Sequence, residues 1–406
     1  MPTIVIIGTL DTKGEEFALA RRLIEGYGCQ VTMLDVGIGE PTHTVPDVAA
    51  DTVAKAAGSS LAVLRAGNDR GAAMATMANG VAILARDLHA TGRLDAIFSL
   101  GGSGGTSIAT AAMRALPVGV PKLMVSTLAA GNVAPFVRTS DIMMMYPVID
   151  FAGLNIIAER IIANAAAAVA GMAKAAGGPI VPSRPVVAIT MFGVTTRAAT
   201  VARAFLEEAG YEVLVFHANG AGGKTMEALM RDGIVRGVLD LTTTELADEL
   251  VGGTLSAGPE RLEMAGRLGL PQVVSLGALD MVNFGPPETV PERFAGRKFY
   301  RHNTMVTLMR TTPEECAALG AIIAAKLNRA KGPVTVFVPS RGVSSIAAPG
   351  GVFHDLAADS ALISALTKGL DRRIDCVAED TDINNPQFAV AMARRLSDLM
   401  PKGPAT

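Results

Sequence analysis

The chain has 406 residues, half of them hydrophobic and 18% charged, with a formal net charge of -2. That length exceeds one average domain and points to two, while the near-neutral balance, without any run of lysine and arginine, argues against nucleic acid bound by counterion release. Cys29, Cys316 and Cys376 are scattered, which fits neither a disulfide framework nor a paired-thiolate zinc site and makes a reducing cytoplasm the expected compartment.

The apolar run Ile4 to Ile7 follows the N-terminus without the charged and apolar regions of a signal peptide. It predicts a buried parallel strand, and Gly8-Thr9-Leu10-Asp11-Thr12-Lys13-Gly14 after it predicts a loop before a helix opening at about Glu15. That loop offers small residues, hydroxyls, one carboxylate and one ammonium. A second strand, Val31 to Leu34, ends at Asp35, which stands either where a ribose-binding acid lies or as a cap on the strand end. The dinucleotide pattern G-x-G-x-x-G is missing after the first strand, which disfavours a nicotinamide enzyme.

Further along, Asp95 to Leu100 predicts a strand running into Gly101-Gly102-Ser103-Gly104-Gly105-Thr106, with a helix expected from Ser107. Glycines let backbone N–H groups approach phosphate oxygens, and a helix N-terminus favours anions. The loop is therefore a candidate phosphate cradle, to which Ser103 and Thr106 bring hydroxyls, Lys13 a flexible ammonium and Asp11 a ligand for Mg. Tight strand-to-helix packing alone would also account for its glycines. The strand Lys122 to Ser126 brings Ser126 and Thr127 to the same end of the sheet. The alanine-rich stretch Ile156 to Ala176 is interrupted by Glu159, Arg160, Asn164 and Lys174, so it predicts a long buried helix and no membrane span.

Gly- and Pro-rich residues 175–185 then separate two halves, placing the domains at 1–180 and 181–406. Laying Ile4 to Gly37 on Val186 to Asn219 matches strand, helix, glycine and strand without a gap, and Gly237 to Leu241 and Pro271 to Ser275 continue the match to later strands. The fold class expected is α/β: two Rossmann-like, doubly wound parallel-sheet domains related by internal duplication.

In the second half, Asn219-Gly220-Ala221-Gly222-Gly223-Lys224-Thr225 resembles a P-loop, but G-x-x-x-x-G-K-[ST] needs glycine where Ala218 stands. His217, Glu245, Asp280, His302, Arg341 and His354 fall near predicted strand ends, as catalytic or metal-binding candidates or as ordinary hydrogen-bonded residues; Glu249 shares a helix face with Glu245. Pro333 to Pro339 predicts a late strand, and Pro386 to about Leu399 a closing helix.

The strings Gly8 to Glu15, Leu100 to Thr106, Ser126-Thr127, Ser275 to Gly285, and His302-Asn303 with Thr307 to Thr312 resemble the ATP-binding-domain family related to the N-terminal region of the tomato mosaic virus resistance protein, over essentially the full length. The resemblance implies ATP with Mg in the first domain and a homodimer or larger homo-oligomer. It carries nucleotide contacts onto Asp11, Thr12, Lys13, Gly102, Ser103, Gly104, Gly105 and Thr106, and adds Arg65 and Gly67. The plant protein continues into a TIM-barrel region missing here, so a barrel activity would come from a separate protein, and its antiviral role does not transfer. The functions expected are nucleotide binding with a small-molecule substrate at the interdomain cleft, or a nucleotide-dependent switch for such a partner. A metabolite kinase is a further alternative, weakened because Ser103 stands where related kinases carry an aspartate.

Overall fold

The computed structural model describes residues 1–176 and 182–401, which fall into two units, Met1–Val181 and Pro182–Thr406. The expected break between residues 180 and 181 lies outside the described residues.

The first unit runs β1 (Thr3–Gly8), α1 (Leu10–Gly26), β2 (Gln30–Asp35), α2 (Ala50–Ala56), α3 (Leu61–Gly67), α4 (Arg70–Ala90), β3 (Ala96–Gly101), α5 (Ser103–Arg114), β4 (Lys122–Ser126), α6 (Ala134–Val137), β5 (Met143–Met145) and α7 (Ile156–Ala175). Its strands lie in the order β2-β1-β3-β4-β5, all pairs parallel. The unbroken apolar run of β1 has a direct cause, because both sheet faces are covered. Ile4 and Ile6 pack with Phe17 of α1 and Ile162 of α7 on one face; Val5 and Ile7 pack with Val53 of α2, Met77 of α4 and Ile108 of α5 on the other. Although α7 has the length and composition of a membrane span, it buries Ala158, Ile162, Ala165 and Val169 in this core. Its first residue, Ile156, is exposed.

The second unit runs β6 (Val186–Met191), α8 (Thr196–Glu208), β7 (Glu212–His217), α9 (Ala221–Arg231), β8 (Val235–Thr242), α10 (Glu245–Val251), α11 (Met264–Leu268), β9 (Gln272–Gly277), β10 (Met281–Phe284), β11 (Phe299–Arg301), β12 (Thr307–Arg310), α12 (Pro313–Leu327), β13 (Val334–Pro339), α13 (Leu356–Gly369), β14 (Asp375–Glu379) and α14 (Pro386–Leu399). Its main sheet is β7-β6-β8-β9-β13-β14, again parallel. Val187, Ile189 and Leu239 face α8 and α14, while Val274, Leu276 and Val336 face α12 and α13. Replacing β1, β2, β3 and β4 by β6, β7, β8 and β9 maps one strand order onto the other, the structural counterpart of the sequence repeat. An antiparallel sheet β10-β12-β11, which the repeat does not foreshadow, is inserted after β9.

Two helix starts differ from expectation. α5 begins at Ser103 and not at Ser107, so Ser103, Gly104 and Gly105 form its first turn. α1 begins at Leu10, with a break at Lys13 (φ -134°, ψ 30°) that sets a single turn, Leu10 to Thr12, apart from the helix proper. In each case the carbonyls of the small residues already serve as helix acceptors: the Lys13 N–H donates to Thr9 O at 3.0 Å and the Thr106 N–H to Gly102 O at 2.9 Å.

Candidate functional site

In an open parallel sheet, ligands bind beyond the carboxyl ends of the strands where the strand order reverses. In the first unit that point lies between β1 and β3. A cleft of about 510 Å³ opens there, within the usual range for small-molecule sites, bounded by the starts of α1, α4 and α5 and the end of β2.

Its floor is built around Asp11. Asp11 Oδ2 accepts the Gly39 N–H at 2.8 Å, while Oδ1 is buried without a hydrogen-bond partner. A Cβ at Gly37 would come within 2.5 Å of that carboxylate and one at Gly39 within 2.9 Å, so the glycines let the loop after β2 wrap the acid. Lys13 lines the same cleft with Nζ donating to Phe151 O at 2.5 Å, and the Thr12 hydroxyl donates to Thr9 O at 3.2 Å. Asp35 stays out of the cleft: buried, it accepts the Leu10 N–H at 3.2 Å and the Gly37 N–H at 2.9 Å, bracing the two loops together. Burial pushes its carboxyl above the ordinary range, and those two N–H groups oppose the shift.

The opposite wall is the first turn of α5. Helix geometry leaves its leading N–H groups without intrahelical acceptors, and Gly102 caps the helix without a side-chain hydrogen bond. Gly102 to Gly105 line the cleft. Thr106 does not: its hydroxyl donates to Gly102 O at 2.8 Å and meets Ser126 Oγ at 2.7 Å, so both residues brace the turn from behind. Thr127 and Gly67 also lie outside the lining. Arg65 lines it while clasping the loop after β2, with Nε on Ile38 O at 2.5 Å and Nη2 on Gly39 O at 3.1 Å and on Glu40 at 2.9 Å. A magnesium ion in a nucleotide site is shared by one or two carboxylates with phosphate oxygens and water, and the carboxylates of this lining are Asp11 and Asp69. Asp11 would hold it through the buried, unpartnered Oδ1.

Sequence reasoning missed the third wall. Asn68, Arg70, Met74 and Met77 line the cleft from the α3–α4 corner and from α4, and Arg70 Nη2 and Met74 Cε lie 3.7 and 3.6 Å from where a Cβ of Gly104 would stand. A readable signal was the pair Asn68-Asp69, a left-handed helix end followed by an N-cap whose carboxylate accepts the Ala72 N–H at 3.0 Å. It announces that a helix starts at Arg70, though not what that helix faces.

The second-half candidates are dispersed. Among the described residues no hydrogen bond or ion pair joins any two of His217, Glu245, Asp280, His302, Arg341 and His354, and no group of three His, Cys, Asp or Glu could hold a metal. His217 packs on Phe192, His302 on Tyr300, and Arg341 forms an exposed fork with Asp380 at 2.6 Å. Asp280 is buried, takes the Ser344 hydroxyl at 2.8 Å and is pushed up to about 6 by burial. Glu249 accepts a hydroxyl hydrogen bond from Ser256.

Glu245 explains the P-loop look-alike. Fully buried, it accepts the Gly220 N–H at 2.7 Å and the Gly223 N–H at 3.1 Å, and pairs with Arg261 Nε at 2.6 Å. The glycine loop opening α9 thus cradles an anion, and the anion is the protein's own carboxylate. A Cβ at Gly223 would fall 2.2 Å from Glu245 Oε2, so glycine there serves an internal ion pair. Arg261 is anchored further by a fork onto Asp240 at 2.5 and 2.6 Å.

Compared with known proteins, residues 2–177 match the N-terminal domain and residues 184–400 the C-terminal domain described as "Uncharacterised protein family (UPF0261)". A UPF0261 protein of Clostridium tetani is 49% identical over 400 residues, covering 98% of this chain and 99% of the relative. The ToMV resistance protein Tm-1(GCR237) of Solanum lycopersicum is 36% identical over 428 residues, and the match covers 99% of this chain but 56% of the tomato protein. Among solved structures, the UDP-GlcNAc 2-epimerase from Neisseria meningitidis bound to UDP-GlcNAc is 11% identical with a TM-score of 0.24, over 68% of this chain and 82% of that one. MurG of Acinetobacter baumannii is 11% identical with a TM-score of 0.23, over 98% and 95%. At such scores neither carries an argument about function. Matched in both halves by one family's models and to full-length relatives by sequence, the chain belongs to the UPF0261 family.

Proposed function

We propose that the first unit binds a nucleotide, Mg-ATP, in the cleft at the β1/β3 switch point. One observation carries the reading: the first turn of α5, with its leading N–H groups free of intrahelical acceptors, lines the same cleft as Asp11, whose buried Oδ1 has no hydrogen-bond partner. The helix end seats phosphate, Asp11 takes the magnesium that accompanies it, and the apolar wall of Val36, Leu64 and Met77 receives the base. Lys13 adds a positive charge at the floor. The second unit holds its own carboxylate in the corresponding kind of loop, which favours different tasks for the two units.

The tomato relatives extend well beyond the length matched here; a nucleotide-dependent switch addressing a separate partner protein is therefore the alternative to a role in small-molecule metabolism. The antiviral role in their name stays with them. The test is the melting temperature of the full chain with ATP, ADP, GTP and NAD, each with and without Mg, since a ligand of the native state raises it. The largest rise is expected with Mg-ATP, and Asp11→Asn should reduce the response to that seen without Mg. If none of the four nucleotides shifts the wild type, the assignment is wrong.

A further inference from the structure

Arg70 is oddly placed for a structural residue. It opens α4, and its Nη2 lies 3.7 Å from the Cβ position of Gly104, over the first turn of α5. Among the described residues it has neither a hydrogen bond nor an ion pair. The two carboxylates lining the same cleft are engaged by backbone N–H groups, Asp11 with Gly39 and Asp69 with Ala72. A guanidinium that is always charged therefore lies against the positive end of one helix while standing at the positive end of its own. Lys13 brings another cation to the same cleft. Asp11 and Asp69 bring their negative charges to this cleft, but among the described residues no ion pair joins either of them to Arg70 or Lys13, and a multiply charged anion lying between the two cations gives both a partner.

Resting on the nucleotide reading above, we infer that Arg70 makes this site select nucleoside di- and triphosphates over monophosphates. The N–H groups at the start of α5 seat one phosphate. The fork of Arg70, pre-organised for bidentate contact with phosphate oxygens, takes the next along the chain. A monophosphate satisfies the helix end or the guanidinium, and only a longer phosphate chain bridges both. Arg70 is exposed and, among the described residues, holds no hydrogen bond or ion pair, so its removal should leave the fold intact.

The test is calorimetric titration of the full chain with AMP, ADP and ATP in the presence of Mg, using the wild type, Arg70→Ala, Arg70→Lys and Gly104→Val. Arg70→Ala should weaken ADP and ATP by about 10- to 100-fold, the range of a charge-assisted hydrogen bond, and leave AMP unchanged. Arg70→Lys should recover part of the loss, because it restores charge without the fork. Equal weakening of all three nucleotides, or none, overturns the inference. If Arg70→Ala has no effect while Gly104→Val abolishes binding, the inference falls and the nucleotide site stands; a wild type that binds no nucleotide ends both.

Discussion

Gly104→Val separates a ligand site from a tight turn. Gly104 has ordinary helical backbone, and its Cβ would meet Met74 Cε at 3.6 Å, Arg70 Nη2 at 3.7 Å and Met74 Sδ at 3.9 Å, all normal contact distances. Nothing must move to admit the β-carbon, and the atoms nearest to it, which the two methyls would approach, are the far ends of the flexible Met74 and Arg70 side chains. Valine is also a slightly better helix residue than glycine, by about 0.3 kcal/mol, so the free variant should melt within roughly 1 °C of the parent. The isopropyl group, however, projects into the cleft beside the leading N–H groups of α5. At a nucleotide concentration of about 100 times Kd, binding adds about 2.7 kcal/mol, which for a unit of this size raises its melting temperature by roughly 5 to 11 °C. A hundredfold weaker Kd leaves about 0.4 kcal/mol and roughly 1 to 2 °C at the same concentration. Differential scanning calorimetry following the transition of the first unit reads both numbers. An unchanged nucleotide shift in the variant would refute the placement of phosphate on α5; a collapse of the free protein would show that the glycines serve packing.

Three further outcomes are expected. Glu245→Ala strips the fully buried Arg261 of one partner and the start of α9 of its anion, and should cost the second unit about 3 to 5 kcal/mol in denaturant unfolding; a loss below about 1 kcal/mol would contradict the account of that loop. Burial pushes both Asp280 and Asp248 up to about 6, so the folded chain keeps protons that the unfolded chain has released. Stability from these groups is therefore highest below the ordinary aspartate value, about 4, and declines as pH rises to 6, by at most about 1.4 kcal/mol per unit for each. Asp280→Asn should lower the slope between pH 4 and 6 by up to about 1.4 kcal/mol per unit in a pH series of urea midpoints, and an unchanged slope would count against the burial argument. Gly223→Ala, which forces a methyl group to 2.2 Å from Glu245 Oε2, should destabilise the second unit in the same assay and leave nucleotide shifts in the first as they were.

The local grammar of this chain lies open in its residues. Continuous apolar runs such as Ile4 to Ile7 mark strands covered on both faces, glycine and proline mark the ends of helices, and the matched halves announce two sheets of one order. Asp11, Lys13 and the glycines from 102 to 105 are likewise legible, because each follows a strand directly and strand ends bring ligand-facing residues together. Tertiary packing decided the rest. Arg70 and Met74 meet Gly104 because α4 and α5 pack on the same face of one sheet, and no spacing along the chain encodes that approach. Thr106 and Ser126 turn inward to each other, so hydroxyls expected at the ligand brace the turn instead. The plainest case is the pair of glycine loops, similar in composition and different in state. Whether backbone N–H groups face an open cleft or a buried Glu245 depends on a residue more than twenty positions away, delivered by the start of α10, and sequence-local chemistry carries no trace of it.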